Sequence, residues 1–126
     1  MTTKPSQKHP SELGAYGEEL ACEALAAAGY HILERNWQAA AGEVDVIAYH
    51  RQELVAVEIK TRAGTGFGDP VASVSALQVR RIQRGLLQFK QTVYPKYAHT
   101  PLRIDIVGIL IDQNGEATAE LLQDVA

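Results

Sequence analysis

Three extended segments follow one another at residues 30–37, 43–49 and 54–61, separated only by short turns, and a helical stripe lies on each side of them. The first stripe runs over residues 13–28, where Leu13, Gly17, Leu20, Ala24, Ala27 and Ala28 recur at three- and four-residue steps. Ser11 after Pro10 supplies a cap, and Gly29 a stop. The second stripe is Val79, Ile82, Leu86 and Phe89. Its helix is opened by Pro70 or capped by Ser73 or Ser75. A buried strand is predicted over 102–111, then a turn at Asn114-Gly115. The last ten residues form either a short strand or a helical turn. The order α-β-β-β-α-β defines an α/β fold. Residues 1–12 read as a flexible tail and 13–126 as one domain.

Composition narrows the class. The chain has 126 residues, 46% hydrophobic and 21% charged, enough for a core without staples. The single cysteine, Cys22, excludes an internal disulfide framework. The longest apolar run, near 104–111, is broken by Asp105 and is too short for a membrane span. No apolar region follows the polar N-terminus, so a cytoplasmic protein without a signal peptide is expected. Charge is segregated: residues 1–45 carry three basic and seven acidic groups, 46–104 nine and three, and 105–126 none and five. A basic middle in an acidic protein fits either a phosphate-facing surface or a solvated helix face at Arg80, Arg81 and Arg84.

The chemistry concentrates on two strands. In Glu58-Ile59-Lys60, alternation puts Glu58 and Lys60 on one face. A short turn at 50–53 sets a hairpin register in which Asp45 falls opposite Glu58. Two facing carboxylates among Val, Ile and Ala repel each other, and partial burial raises the cost. A divalent cation held by both would offset it, and oxygen ligands suit Mg²⁺ or Mn²⁺. Lys60 would add a positive charge beside the metal, the grouping that phosphodiester hydrolysis needs. An ion-paired structural hairpin explains the same residues. Glu18 borders the apolar arc of the first helix, where it either aims at the metal or is solvated.

Other motifs fail. The Gly64, Gly66, Gly68 run lacks the third glycine of a dinucleotide loop, because Asp69 stands there, and no P-loop is present. His9, His31, His50 and His99 are scattered, read as surface residues, and make no zinc site. Cys22 reads as a helix residue, not a nucleophile. Asp105 is expected either to pair, buried, with Arg62 or Arg35 or to support the metal site.

Taken in order, Gly14-x-x-Gly17-Glu18-x-x-Ala21, Gly29-Tyr30, Arg35-Asn36-Trp37, Gly42-Glu43-Val44-Asp45-Val46-Ile47-Ala48, Val57-Glu58-Ile59-Lys60-Thr61-Arg62, Phe67-Gly68 and Arg103-Ile104-Asp105-Ile106-Val107 carry a resemblance. From Gly14 onward the chain resembles the YraN-type family of uncharacterised bacterial proteins. That family is similar to the PD-(D/E)XK nucleases, with archaeal Holliday-junction resolvases near by motif. The resemblance implies a restriction-endonuclease-like αβββαβ core, a mixed β-sheet flanked by helices. It implies that Asp45 and Glu58 bind Mg²⁺ or Mn²⁺ and that Lys60 is the superfamily lysine. Glu18 becomes the first-helix acid, serving a second metal or completing the shell. On this reading the Ile59 carbonyl is an extra ligand. Lys60 orients the attacking water or stabilises the phosphorane-like state. DNA is the expected substrate, branched or repair intermediates included, with Arg62, Gln78, Arg80, Arg81 and Arg84 as contacts. Gln78 stands where the family usually has lysine, so either Arg80 and Arg81 take over its charge or phosphate contact weakens. The rival expectation is a nucleic-acid-binding accessory domain that keeps the constellation without turnover. Both leave a homodimer open.

Overall fold

The two apolar periodicities resolve into two helices and five strands over the residues described by the computed structural model, 10–64 and 74–126. Helix α1 spans Pro10–Ala27, starting within the segment read as a tail. Strands β1 (His31–Ala39), β2 (Gly42–His50) and β3 (Glu53–Ala63) follow. Helix α2 (Ala76–Thr92) leads to β4 (Leu102–Ile111) and β5 (Ala117–Leu122). The C-terminal segment is therefore a strand. Gly66, Gly68 and Asp69, with the alternative helix starts at Pro70 and Ser73, lie outside the described residues. Ser75 is the cap: its side chain accepts from the Gln78 N–H at 3.2 Å, and Gln78 Oε1 accepts from the Ser75 N–H at 2.9 Å.

The sheet order is β1-β2-β3-β4-β5. The short turns force β1, β2 and β3 into an antiparallel meander, while the α2 crossover lets β4 lie parallel to β3. β5 returns antiparallel along β4. The β2–β3 register runs from His50↔Glu53 to Val46↔Val57, the pairing that the turn length predicts. This is an α/β fold with a restriction-endonuclease-like core, a mixed sheet between two helices.

Each face of the sheet has its own core. Ala21 and Leu25 of α1 pack on Val46, Ala48, Val55, Val57, Val107 and Ile109. Ile82, Leu86 and Phe89 of α2 pack on Val44, Ile47, Leu54, Ala56 and Ile104. Fully buried aliphatic side chains such as Leu25 and Leu86 each stabilise the fold by about 2 kcal/mol.

One break in alternation shapes everything that follows. Val44 belongs to the α2 cluster and Val46, two residues on, to the α1 cluster, although a regular strand puts both on one face. On β1, Arg35 reaches Glu19 of α1 at 2.8 Å, while Trp37 packs edge-on against Phe89 of α2. Between these pairs lie Asn36 and Asp45. Asn36 has φ 53°, a left-handed conformation that asparagine tolerates better than most residues. The left-handed Asn36 and Asp45 thus face each other at the break, between the Arg35↔Val46 and Trp37↔Val44 pairs.

Candidate metal centre

Beyond Val46↔Val57 the strands β2 and β3 fork, and the carboxylate of Asp45 fills the opening. Its Oδ2 accepts the Ile59 N–H at 2.8 Å, a hydrogen bond that replaces the missing ladder. The predicted opposition of Asp45 and Glu58 thus becomes a close contact at the mouth of a fork. Burial, then the neighbouring Glu58 charge, pushes the Asp45 carboxyl up to about 7. The Ile59 N–H pulls in the other direction and is outweighed.

Glu58 is 5% exposed. Lys60 Nζ and Arg81 Nη2 both stand 3.8 Å from its Oε2. Arg81 is held in place from the other side, because its Nη1 donates to the Glu43 carbonyl at 3.0 Å. Gly42 makes room for it: a Cβ there would lie 2.8 Å from Arg81 Nη1, and the local φ of +133° also suits glycine.

Glu18 arrives from α1. The helix comes close to β3 because residue 17 is glycine; a Cβ there would collide with the Thr61 side chain. Asn36 then ties the acids together. Its Nδ2 donates to Glu18 Oε1 at 3.2 Å and to Glu43 Oε1 at 2.8 Å, and Gln38 donates to Glu43 Oε2 at 2.9 Å. Carboxylate oxygens of Glu18, Glu43 and Asp45 lie within 4.8 Å of one another. A cleft of about 390 Å³ opens beside them, lined by Glu18, Asp45, Ile59, Lys60 and Arg62 among others. All the donors are carboxylates, a set that suits a hard divalent cation.

The structure therefore brings together Glu18, Asp45, Glu58, Ile59, Lys60 and Arg62. It adds Glu43 and Asn36, which the sequence reading did not select. Glu43 carried a signal, because it stands two residues before Asp45. Asn36 stood inside the Arg35-Asn36-Trp37 block that carries the resemblance, but its place at the acids depends on a left-handed backbone that periodicity does not announce. The arginines of α2 divide. Arg81 turns into the fork, whereas Arg80 and Arg84 are exposed on the helix. The amide oxygen of Gln78 is turned back onto the helix cap.

Two expectations are corrected at the far end of the sheet. Asp105 is fully buried, and its partner is neither Arg62 nor Arg35 but Arg103, two residues back on the same strand. Arg103 meets it through Nε at 2.9 Å and Nη2 at 2.8 Å, a two-pronged pair that needs no other strand to supply the cation. Arg35 is engaged by Glu19, and Arg62 donates to the Thr61 carbonyl. His50 is 4% exposed, not a surface residue, because it stacks on Tyr30 with ring centroids 3.8 Å apart. Arg103 Nη2 lies 2.7 Å from His50 Nδ1. A guanidinium can only donate, so Nδ1 is the unprotonated nitrogen. Burial, then the Arg103 charge, holds the His50 pKa below its usual range.

Residues 17–109 match the model of the uncharacterised protein family UPF0102. A UPF0102 protein of Clavibacter michiganensis is 38% identical over 112 residues, covering 89% of this chain and 93% of the relative. One from Streptomyces griseus is 37% identical over 117 residues, covering 90% and 95%. One from a Nocardioides species is 34% identical over 125 residues, covering 99% of both chains.

Proposed function

The chain belongs to the uncharacterised protein family UPF0102, the YraN-type family that its motifs resemble, and on that premise we propose a metal-dependent DNA endonuclease acting in the cytoplasm. One observation carries the reading: the carboxylates of Glu18, Glu43 and Asp45 have oxygens within 4.8 Å of one another, and Glu18 and Asp45 line a cleft with Lys60. Like charges gathered this closely are unfavourable without a cation. Asp45 is the ligand common to two sets, with Glu18 and Glu43 on one side and with Glu58 and the Ile59 carbonyl on the other. A bound Mg²⁺ or Mn²⁺ supplies Lewis acidity toward a phosphate oxygen and lowers the pKa of a bound water.

The remaining work falls to the chain itself. The Lys60 ammonium, held near Glu58, orients the attacking water or meets the charge that develops on the phosphorus oxygens. Arg81 fixes a second positive charge at the fork, in the place of the lysine that Gln78 does not provide. Exposed Arg80 and Arg84, with Arg62 in the cleft, contact the DNA backbone. A second reading, a DNA-binding accessory domain without turnover, draws support from the two cations 3.8 Å from Glu58, which neutralise it without a metal.

Incubation with branched, flapped, single- and double-stranded DNA, in Mg²⁺, Mn²⁺ or EDTA, tests the proposal. Cleavage that needs the cation and is lost in Asp45→Asn is expected. Binding without any cleavage selects the accessory domain.

A further inference from the structure

A second concave site lies on the α2 side of the sheet, away from the fork. His31 and Leu33 of β1, Tyr49 of β2, and Lys96, Tyr97 and Thr100 after α2 enclose about 290 Å³. The Tyr49 and Tyr97 rings sit 6.0 Å apart, and Lys96 Nζ stands 5.6 Å from the centre of the Tyr97 ring. Lys90 reaches the same corner, donating to the Thr100 carbonyl at 3.1 Å. None of the described lining residues is acidic.

The platform is preformed. Tyr97 packs at the edge of the α2 core beside Leu33 and Val93. Its segment is wound into consecutive turns by Lys96 N–H to Val93 O, Ala98 N–H to Pro95 O and Thr100 N–H to Tyr97 O, each 3.1 Å. A ligand that stacks there orders little of the protein, so little of its binding energy is lost. Aromatic rings with lysines at the rim match one ligand chemistry: a planar π-system carrying a phosphate.

We propose that this pocket stacks an unpaired nucleobase of a single strand that extends from the fork. The proposal rests on the nuclease reading and names the form of substrate it takes. Tyr49 lies four residues along β2 from Asp45, about 13 Å. Ile47 between them is fully buried beneath α2, so the strand reaches the pocket around the exposed edge strand β1 and needs more than about four nucleotides. Helix α2 joins the two sites. Arg81 binds Glu43 at one end, Phe89 packs on Trp37 near the other, and the Tyr97 segment follows. A base paired within a duplex cannot enter a pocket of this kind, so the preferred DNA has a single-stranded arm beside the scissile position.

The test is fluorescence anisotropy in EDTA, where cleavage is silent, with a labelled oligothymidylate and an abasic strand of equal length. The wild type should bind the base-bearing strand about tenfold more tightly. Tyr97→Leu should erase that preference and leave abasic binding unchanged, while Tyr97→Phe should retain it. Lys96→Gln should weaken both strands and flatten the salt dependence by about 0.7 in slope. Equal wild-type affinity for the two strands, or a preference that survives Tyr97→Leu, overturns the proposal. If neither strand binds but Mn²⁺ still binds in an Asp45-dependent way, the stacking site fails and the metal centre stands. If both are absent, the nuclease reading falls with it.

Discussion

Asp45 is the residue on which folding and chemistry pull in opposite directions. Its carboxyl loses a proton near 3.8 when free and is held up to about 7 in the fold. Between those values the folded protein binds more protons than the unfolded chain. Stability of the metal-free protein should therefore fall as pH rises from about 4 to about 7 and level off above. Asp45→Asn keeps an acceptor for the Ile59 N–H and removes the charge. It should flatten that decline and gain about 1 kcal/mol at pH 8, read from urea midpoints. Lys60 makes the complementary case. Lys60→Met keeps the side-chain length, so Mn²⁺ affinity should hold or rise. Single-turnover cleavage should drop by roughly 10²-fold, the loss of about 3 kcal/mol at the charge-developing step. A destabilised variant with full cleavage would reduce Lys60 to an ion-pair partner.

At the scale of elements, two close approaches build the fork. Gly17 lets α1 approach Thr61, and Gly42 leaves room for Arg81. Gly17→Ala should overpack the α1–β3 contact, costing about 1–3 kcal/mol, and draw Glu18 away from Asp45. The expected pair of readouts is a lowered Tm and weakened Mn²⁺ binding. A lowered Tm with wild-type affinity would show that Glu18 is no ligand. The hairpin that carries Asp45 and Glu58 was legible because a short turn between Val- and Ile-rich strands leaves one register. The kink at Asn36 and Asp45 was not legible. It needs a positive φ at a non-glycine residue in mid-strand, which no periodicity announces. With that conformation hidden, the link from Glu18 through Asn36 to Glu43 was not selected, although Glu43 stands two residues before Asp45.

At the scale of the whole molecule, the sheet has an acidic end, where the candidate metal centre lies, and a structural end. The structural end is the buried network of Tyr30, His50, Arg103 and Asp105. Tyr30 donates to Asp105 at 2.6 Å, Gln123 donates to Tyr30 at 2.8 Å, and Arg103 reaches Glu53 at 3.0 Å. It joins β2, β3 and β4 with the chain segments before β1 and after β5. Asp105→Leu would leave the Arg103 charge buried without its main partner, and a loss of about 3–5 kcal/mol is expected from denaturant midpoints. His50 has a lowered pKa, so below its usual range the unfolded chain binds the extra proton. Stability lost on acidification should consequently be smaller in His50→Gln. Alternation alone puts Arg103 and Asp105 on one face, so their pairing was within reach of the sequence. The burial of His50 was not, because it depends on Tyr30 stacking from before β1 and on Arg103 arriving from two strands away. No helix among the described residues is long and apolar enough to cross a membrane.

The proposed metal centre requires that the forked carboxylates hold a divalent cation. Calorimetric titration of Mn²⁺ at pH 8 addresses it without any assumption about substrate. The wild type should bind, and Asp45→Asn and Glu58→Gln should each lose at least about tenfold in affinity while remaining folded. Glu23→Gln, an exposed helix residue, should titrate like the wild type. No Mn²⁺ binding by the wild type, or wild-type affinity in both Asp45→Asn and Glu58→Gln, would contradict the account.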